Sequence, residues 1–223
     1  MKITSVEPQK NNPRRFNVFL DGQFAFGADE DLVVERRLVI GKEIEAADLE
    51  KIFSEAEVGK LVEKVYGLLN IRYRSEKEIR DYMRNLSFKR KLKDKEELSE
   101  VIIESLIEKL KKRDLINDLR FATEWAAARR KSKKKGINAI KSELFQKGID
   151  REIVEQVLSE DREEGSSETS LAKEALEKKL RLWKNLPPVE FKQKSLRFLM
   201  SKGFNYDIAK LVTEAAMEDE TEE

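Results

Sequence analysis

The 223-residue sequence contains no cysteine and no histidine. Their absence removes disulfides, thiolate nucleophiles, imidazole general bases and nearly every zinc or transition-metal site. Glycine and proline are scarce, at nine and four residues. None of the glycines falls in a G-x-x-x-x-G-K-[ST] or G-x-G-x-x-G phosphate loop. Only carboxylate, lysine, hydroxyl or tyrosine chemistry is left, so the sequence points away from an enzyme and implies no metal and no cofactor. No stretch approaches the roughly 20 apolar residues of a membrane span, and mean hydropathy is −0.64. Met1-Lys2-Ile3-Thr4-Ser5 leads into no apolar signal-peptide core. A cytoplasmic protein without membrane attachment is therefore expected.

Charge is what the sequence has in excess. Charged residues make up 40% and hydrophobic residues 39% of the chain, against roughly 25% charge in an average domain. That balance favours helices with charged surfaces.

Strand patterns are confined to the first 27 residues: Lys2–Val6, Phe16–Leu20 and Gln23–Phe26. Asp21-Gly22 separates the last two, and both positions of a type I′ hairpin turn need positive φ, which favours this pair. A small three-stranded antiparallel sheet is predicted, followed by a short helix from Asp29 to Leu38 that stops near Gly41. Between Ala46 and Asn70, apolar residues recur every three or four positions, as one amphipathic stripe. Ser75-Glu76-Lys77-Glu78 reads as a capping box that opens the next helix. A basic loop, Lys89–Lys95, precedes a helix marked by Leu98, Val101, Ile102, Leu106 and Leu110. Asn117 or Asp118 can cap a fourth helix, and Gly136 is expected to break it.

A pattern then repeats 55 residues apart. Leu144-Phe145-Gln146-Lys147-Gly148-Ile149, with Ile153 and Val157, matches Leu199-Met200-Ser201-Lys202-Gly203-Phe204, with Ile208 and Val212. Each glycine would close a helix in the left-handed conformation. A weaker copy precedes them, with Ile79 and Met83 standing for Ile140 and Leu144. The predicted architecture is mainly α, with tandem three-helix repeats in an elongated curved array, because such units bury their end surfaces by stacking. The expected division is an N-terminal sheet extension over 1–45, three-helix units over 46–116, 117–160 and 161–216, and an acidic tail over 217–223. Pro187-Pro188 must interrupt the helix that carries Leu176, Leu180 and Trp183. The acidic stretch Glu160–Glu168, with Gly165-Ser166-Ser167, reads as a linker.

The overall charge of +1 hides segregation. Residues 120–151 hold ten basic and three acidic side chains, a net of +7, with nothing nearby in sequence to cancel Arg129–Lys135; residues 152–177 carry a net of −7. The candidate contact patch is Arg129, Arg130, Lys133, Lys134 and Lys135, and a second comprises Arg72, Arg74, Lys89, Arg90 and Lys91. Such clusters bind phosphate by counterion release or meet an acidic protein; the plainer reading is solvation of helix faces in a charge-rich chain. Without base-reading motifs, any nucleic-acid contact would go to the backbone. Phe121 and Trp125 read as core, Asp118 as a cap, and Asp29-Glu30-Asp31 lacks the spacing of a calcium loop.

Leu115-Ile116-Asn117-Asp118-Leu119-Arg120-Phe121-Ala122, then Trp125, Arg129, Gly136, Ile140, Glu143-Leu144 and Lys147-Gly148-Ile149, resembles the central signature of RecX, a bacterial family of regulators of the recombinase RecA. Arg72–Ile79 resembles that family's opening signature, and Lys194–Leu199 through Gly203-Phe204 its third-unit signature. The first unit departs from the pattern by lacking the Lys-Gly pair. The resemblance implies a non-enzymatic modulator, monomeric off its target. It would lodge on the RecA–single-stranded DNA filament and limit ATP hydrolysis, strand exchange and coprotease activity, with direct contact to single- or double-stranded DNA left open. A sequence-independent nucleic-acid binder and an unrecognised enzyme are the competing readings.

Overall fold

The computed structural model describes residues 1–164, 168–183 and 185–219, in two compact units, Met1–Ile116 and Asn117–Glu223. The expected linker residues Gly165-Ser166-Ser167 and the tail residues 220–223 lie outside the described residues. Among the described residues no helix is long and apolar enough to cross a membrane.

The first unit opens with strands β1 (Ile3–Gln9), β2 (Asn12–Leu20) and β3 (Gln23–Asp29), paired antiparallel in that order. Asp21 and Gly22 take φ of 44° and 84°, as the type I′ turn requires. Asp21 Oδ1 also accepts from the Lys2 amide at 2.9 Å, tying the turn to β1. The strands run further than expected, because backbone pairing carries β1 and β2 through polar residues to a tight turn at Lys10-Asn11. Asp29 caps helix α1 (Glu30–Glu35) by accepting from Leu32 N at 2.8 Å.

Helix α2 (Ala46–Leu69) serves two cores. Its first half, through Leu49, Ile52 and Ala56, packs on Ile3, Val18, Phe26 and Ala28 of the sheet. The second half, through Leu61, Val62 and Val65, packs against α3 (Glu76–Lys91) and α4 (Glu100–Lys112), where Ile79, Met83, Leu106 and Leu110 are buried. Each such fully buried side chain contributes about 1.5–3 kcal/mol. Gly59 lets this helix approach Asp29, since a Cβ there would lie 2.5 Å from Asp29 Oδ2.

The second unit comprises α5 (Asp118–Lys133), α6 (Ile137–Gln146), α7 (Arg151–Glu164), α8 (Glu168–Trp183), α9 (Pro188–Ser201) and α10 (Tyr206–Asp219). The helix pairs α6–α7 and α9–α10 close in the same way. Gly148 and Gly203 take φ of 78° and 93°. The following amides, Ile149 N and Phe204 N, donate to Leu144 O at 3.1 Å and Leu199 O at 3.2 Å, completing a Schellman cap in each repeat. Pro188 occupies the first turn of α9, where its missing N–H costs nothing.

Several expectations are corrected. Lys89, Arg90 and Lys91 are not a loop but the last turn of α3. Asp94 adopts φ 52°, and Lys95 N donates to Arg90 O at 3.1 Å, so Lys93-Asp94 does in the first repeat what Lys-Gly does in the others. Asn117, not Asp118, caps α5, by accepting from Arg120 N at 3.0 Å. The left-handed residue ending α5 is Lys134 at φ 49°, while Gly136 begins α6. Of the acidic stretch expected as a linker, Glu160 to Glu164 belong to α7 and Glu168 opens α8, and Met217, Glu218 and Asp219 belong to α10.

Candidate partner-binding surface

The densest basic run lies at the carboxyl end of α5, where cations complement the exposed carbonyls of the helix terminus. Its charges are largely answered within the fold. Arg130 is only 8% exposed, and its Nη1 donates to Glu168 Oε1 of α8 at 2.6 Å. The other oxygen of Glu168 accepts from Ile137 N at 3.2 Å, so one carboxylate ties α5 and α6 to α8. Arg129 lies over the Trp125 ring, 4.0 Å from its centroid, and donates from Nε to Glu143 at 2.6 Å. The same carboxylate takes Trp125 Nε1 at 2.8 Å and the ammonium of Lys135. Lys134 pairs with Glu174.

The expectation that nothing cancels Arg129–Lys135 is therefore corrected: Glu143, Glu168 and Glu174 converge on the run from other helices. Partial burial pushes the Glu143 carboxyl up. Hydrogen bonds from Lys135, Arg129 and Trp125 together outweigh it and leave the carboxyl below its usual range. Lys131 and Lys133 are exposed and meet no carboxylate among the described residues. Phe121 is buried, but Trp125 is half-buried, with Lys147 lying 5.1 Å from its ring centroid as well.

The second basic block sorts the same way. Arg72 donates from both terminal nitrogens to Glu78 at 2.8 Å, Arg90 pairs with Glu57 at 2.7 Å and Lys91 with Glu97 at 2.8 Å. The half-buried Arg74 leaves its Nε without a partner among the described residues. Lys89, Lys93 and Lys95 are exposed and meet no carboxylate among them. Asp29 pairs with Lys109 and Asp31 with Arg113, so these acids hold the first unit together.

One basic feature escaped the residue count. Lys178 and Lys179 follow directly on the net-negative window 152–177, and Lys202 reaches back to α5, donating to Lys133 O at 2.7 Å. Lys179 and Lys202 lie 5.7 and 5.5 Å from the centroid of the same ring, Phe198. The Lys178-Lys179 pair is the available signal in sequence, lying just past the end of the net-negative window 152–177.

Comparison with known proteins gives one consistent result. Sequence models described as the regulatory protein RecX N-terminal domain, the RecX second three-helix domain and the RecX third three-helix domain match residues 1–45, 117–158 and 167–212. Regulatory protein RecX of Listeria monocytogenes serotype 4b (strain F2365) is 36% identical over 219 residues, covering 98% of this chain and 77% of the relative. Regulatory protein RecX of Bacillus subtilis (strain 168) is 34% identical over 206 residues, covering 92% of this chain and 74% of the relative. A crystal structure of regulatory protein RecX superposes with a TM-score of 0.73 at 27% identity, covering 96% of this chain and 98% of that one. The crystal structure of RecX from Lactobacillus salivarius gives 0.58 at 26% identity over 71% of this chain and 96% of that one.

Proposed function

The chain belongs to the RecX family of regulatory proteins, and from that membership we propose that it binds the RecA–single-stranded DNA filament and restrains it. The restraint falls on ATP hydrolysis, strand exchange and coprotease activity, and acts by occupation of the filament without chemistry on a substrate. The protein works in the cytoplasm and is a monomer away from the filament. Segments 46–116, 117–160 and 161–216 act as successive contact modules.

The observation that carries this reading is a relationship to RecX proteins along nearly the full chain, 98% of it for one relative at 36% identity. The charge layout supports it. Cations already held by carboxylates cannot serve a partner without breaking a pair, so contact falls to the exposed lysines, Lys131 and Lys133 in the second repeat and Lys89, Lys93 and Lys95 in the first. Arg129, Arg130, Lys134 and Lys135, with Arg72 and Arg90, shape these surfaces from within their ion pairs, and the exposed Lys91 is held by Glu97. Arg74, which is half-buried, stays with the contact set on its charge alone. Exposed charges of this kind steer association more than they set final affinity.

The test is the single-stranded-DNA-dependent ATPase of RecA, titrated with the full chain. Inhibition at substoichiometric protein is the expected result. An ATPase rate unchanged at equimolar protein refutes the proposal.

A further inference from the structure

We propose that Lys133, Lys178, Lys179 and Lys202 form a phosphate-binding site where the second and third three-helix repeats meet, and that it takes the phosphodiester backbone of a nucleic-acid strand. This goes beyond restraint of RecA, because it assigns a direct nucleic-acid contact to residues of the chain itself, and it can fail while that reading stands.

Three elements bring the lysines together: the last turn of α5, the middle of α8 and the residue that ends α9. The repeats are joined there by backbone, with Gly136 N donating to Lys202 O at 2.9 Å and Asn138 N to Gly203 O at 3.1 Å. The convergence is therefore built into the fold. Lys202 is half-buried, and its ammonium both donates to Lys133 O at 2.7 Å and lies 5.5 Å from the centroid of the Phe198 ring. Lys179 shares the Phe198 ring, while Lys178 and Lys133 are exposed.

The contrast with the neighbouring cations carries the argument. Arg129, Arg130, Lys134 and Lys135 each have a carboxylate. Among the described residues, none of Lys133, Lys178, Lys179 and Lys202 has one. Partial burial, and then the charges of Lys135, Lys178, Lys179 and Lys133, depress the affinity of Lys202 for its proton. Ammonium groups are point charges without the planar fork that arginine offers a carboxylate. A cluster made only of lysines suits a row of singly charged phosphates and reads no base.

The test is fluorescence anisotropy of a fluorescein-labelled oligothymidylate titrated with the full chain across a salt series. The double variant Lys178→Gln/Lys179→Gln is compared with the native chain and with Lys10→Gln/Lys64→Gln. The latter removes two exposed lysines of the first unit, and circular dichroism checks that both variants fold. The expected result is roughly 10- to 30-fold weaker binding for the 178/179 variant at about 0.1 M salt, with the slope of log K against log salt shallower by about 1.4. The 10/64 variant binds as the native chain does. Equal losses in both variants would reduce the effect to net charge and overturn the site. So would failure of the native chain to bind the oligonucleotide. Native-like oligonucleotide binding by the 178/179 variant together with weakened inhibition of the RecA ATPase would reassign the cluster to an acidic protein surface. Displacement of the oligonucleotide by inorganic pyrophosphate at matched phosphate concentration would make the ligand a free phosphate compound and overturn the assignment to a strand.

Discussion

Gly136 and Gly203 meet backbone to backbone: a Cβ on Gly136 would lie 2.5 Å from the carbonyl carbon of Gly203. A Cβ on Gly203 would lie 2.3 Å from Ala139 N. The two glycines come from different repeats, and their contact brings the end of α9 against the start of α6. A hydrogen bond from Gly136 N to Lys202 O, 2.9 Å long, then forms across the junction.

Gly136 has an ordinary φ of −75°, so Gly136→Ala isolates the close approach from any backbone strain. It is expected to cost about 2–3 kcal/mol through overpacking. Gly148→Ala, with φ of 78°, should cost about 1–2 kcal/mol through the left-handed conformation alone. Gly203→Ala combines both penalties. Urea unfolding of the full chain measures the order, and a Gly136→Ala protein as stable as the native one would show that the repeats do not rely on this contact.

Arg130 and Lys133 stand three residues apart on α5 with opposite expectations. Arg130→Ala leaves Glu168 without its buried cation and should cost about 3 kcal/mol. Lys133→Ala, on an exposed side chain, should change stability by less than about 0.5 kcal/mol. Thermal denaturation distinguishes the two. Reversing the whole run from Arg129 to Lys135 would therefore report on folding before it reported on binding.

Glu143 sets a direction for the dependence on acid. Its folded carboxyl titrates below the ordinary glutamate value of 4.5, so the folded state binds fewer protons than the unfolded chain as pH falls. The contribution is fully present above about pH 4.5 and is lost as pH drops through the lowered folded value. Glu76, paired with Lys111 and Arg80 against its own partial burial, acts in the same sense. Glu143→Gln should cost about 1–2 kcal/mol at neutral pH, allowing for solvent screening. It should also flatten the acid limb of a stability–pH curve; an unchanged limb would remove Glu143 from the account.

Asp94 holds the left-handed position that glycine holds in the other two repeats, with φ of 52°. Asp94→Gly should raise stability by about 1 kcal/mol, since glycine bears no Cβ penalty there. A decrease in the urea midpoint would show that the aspartate side chain supports the turn in another way.

Legibility in sequence followed the range of the interaction. Asp21-Gly22 and the Lys-Gly caps were readable because a positive φ is a property of one residue and its immediate neighbours. The repeated helix ends of α6 and α9 were readable because Leu144 and Leu199 stand at the same spacing from Gly148 and Gly203, with Ile153 and Val157, or Ile208 and Val212, following at helical spacing. The end of α3 was misread because seven extra residues between Met83 and the cap position lengthen the helix by about two turns. Its basic composition alone suggested a loop. Val101, counted toward the stripe of α4, is 75% exposed, whereas Ile103 is buried.

By itself the sequence determined the class of fold, a short sheet followed by repeated three-helix units, because turn chemistry and helical periodicity are written in adjacent residues. It also settled the absence of thiol and imidazole chemistry, which follows from composition. Only the tertiary structure decided which cations are spoken for. Arg130 finds Glu168 from 38 positions away, while Lys202 reaches Lys133 O from 69 positions away. Charge acts through space across helices that packing brings together, so a count along the chain locates basic residues without showing which of them remain unpaired.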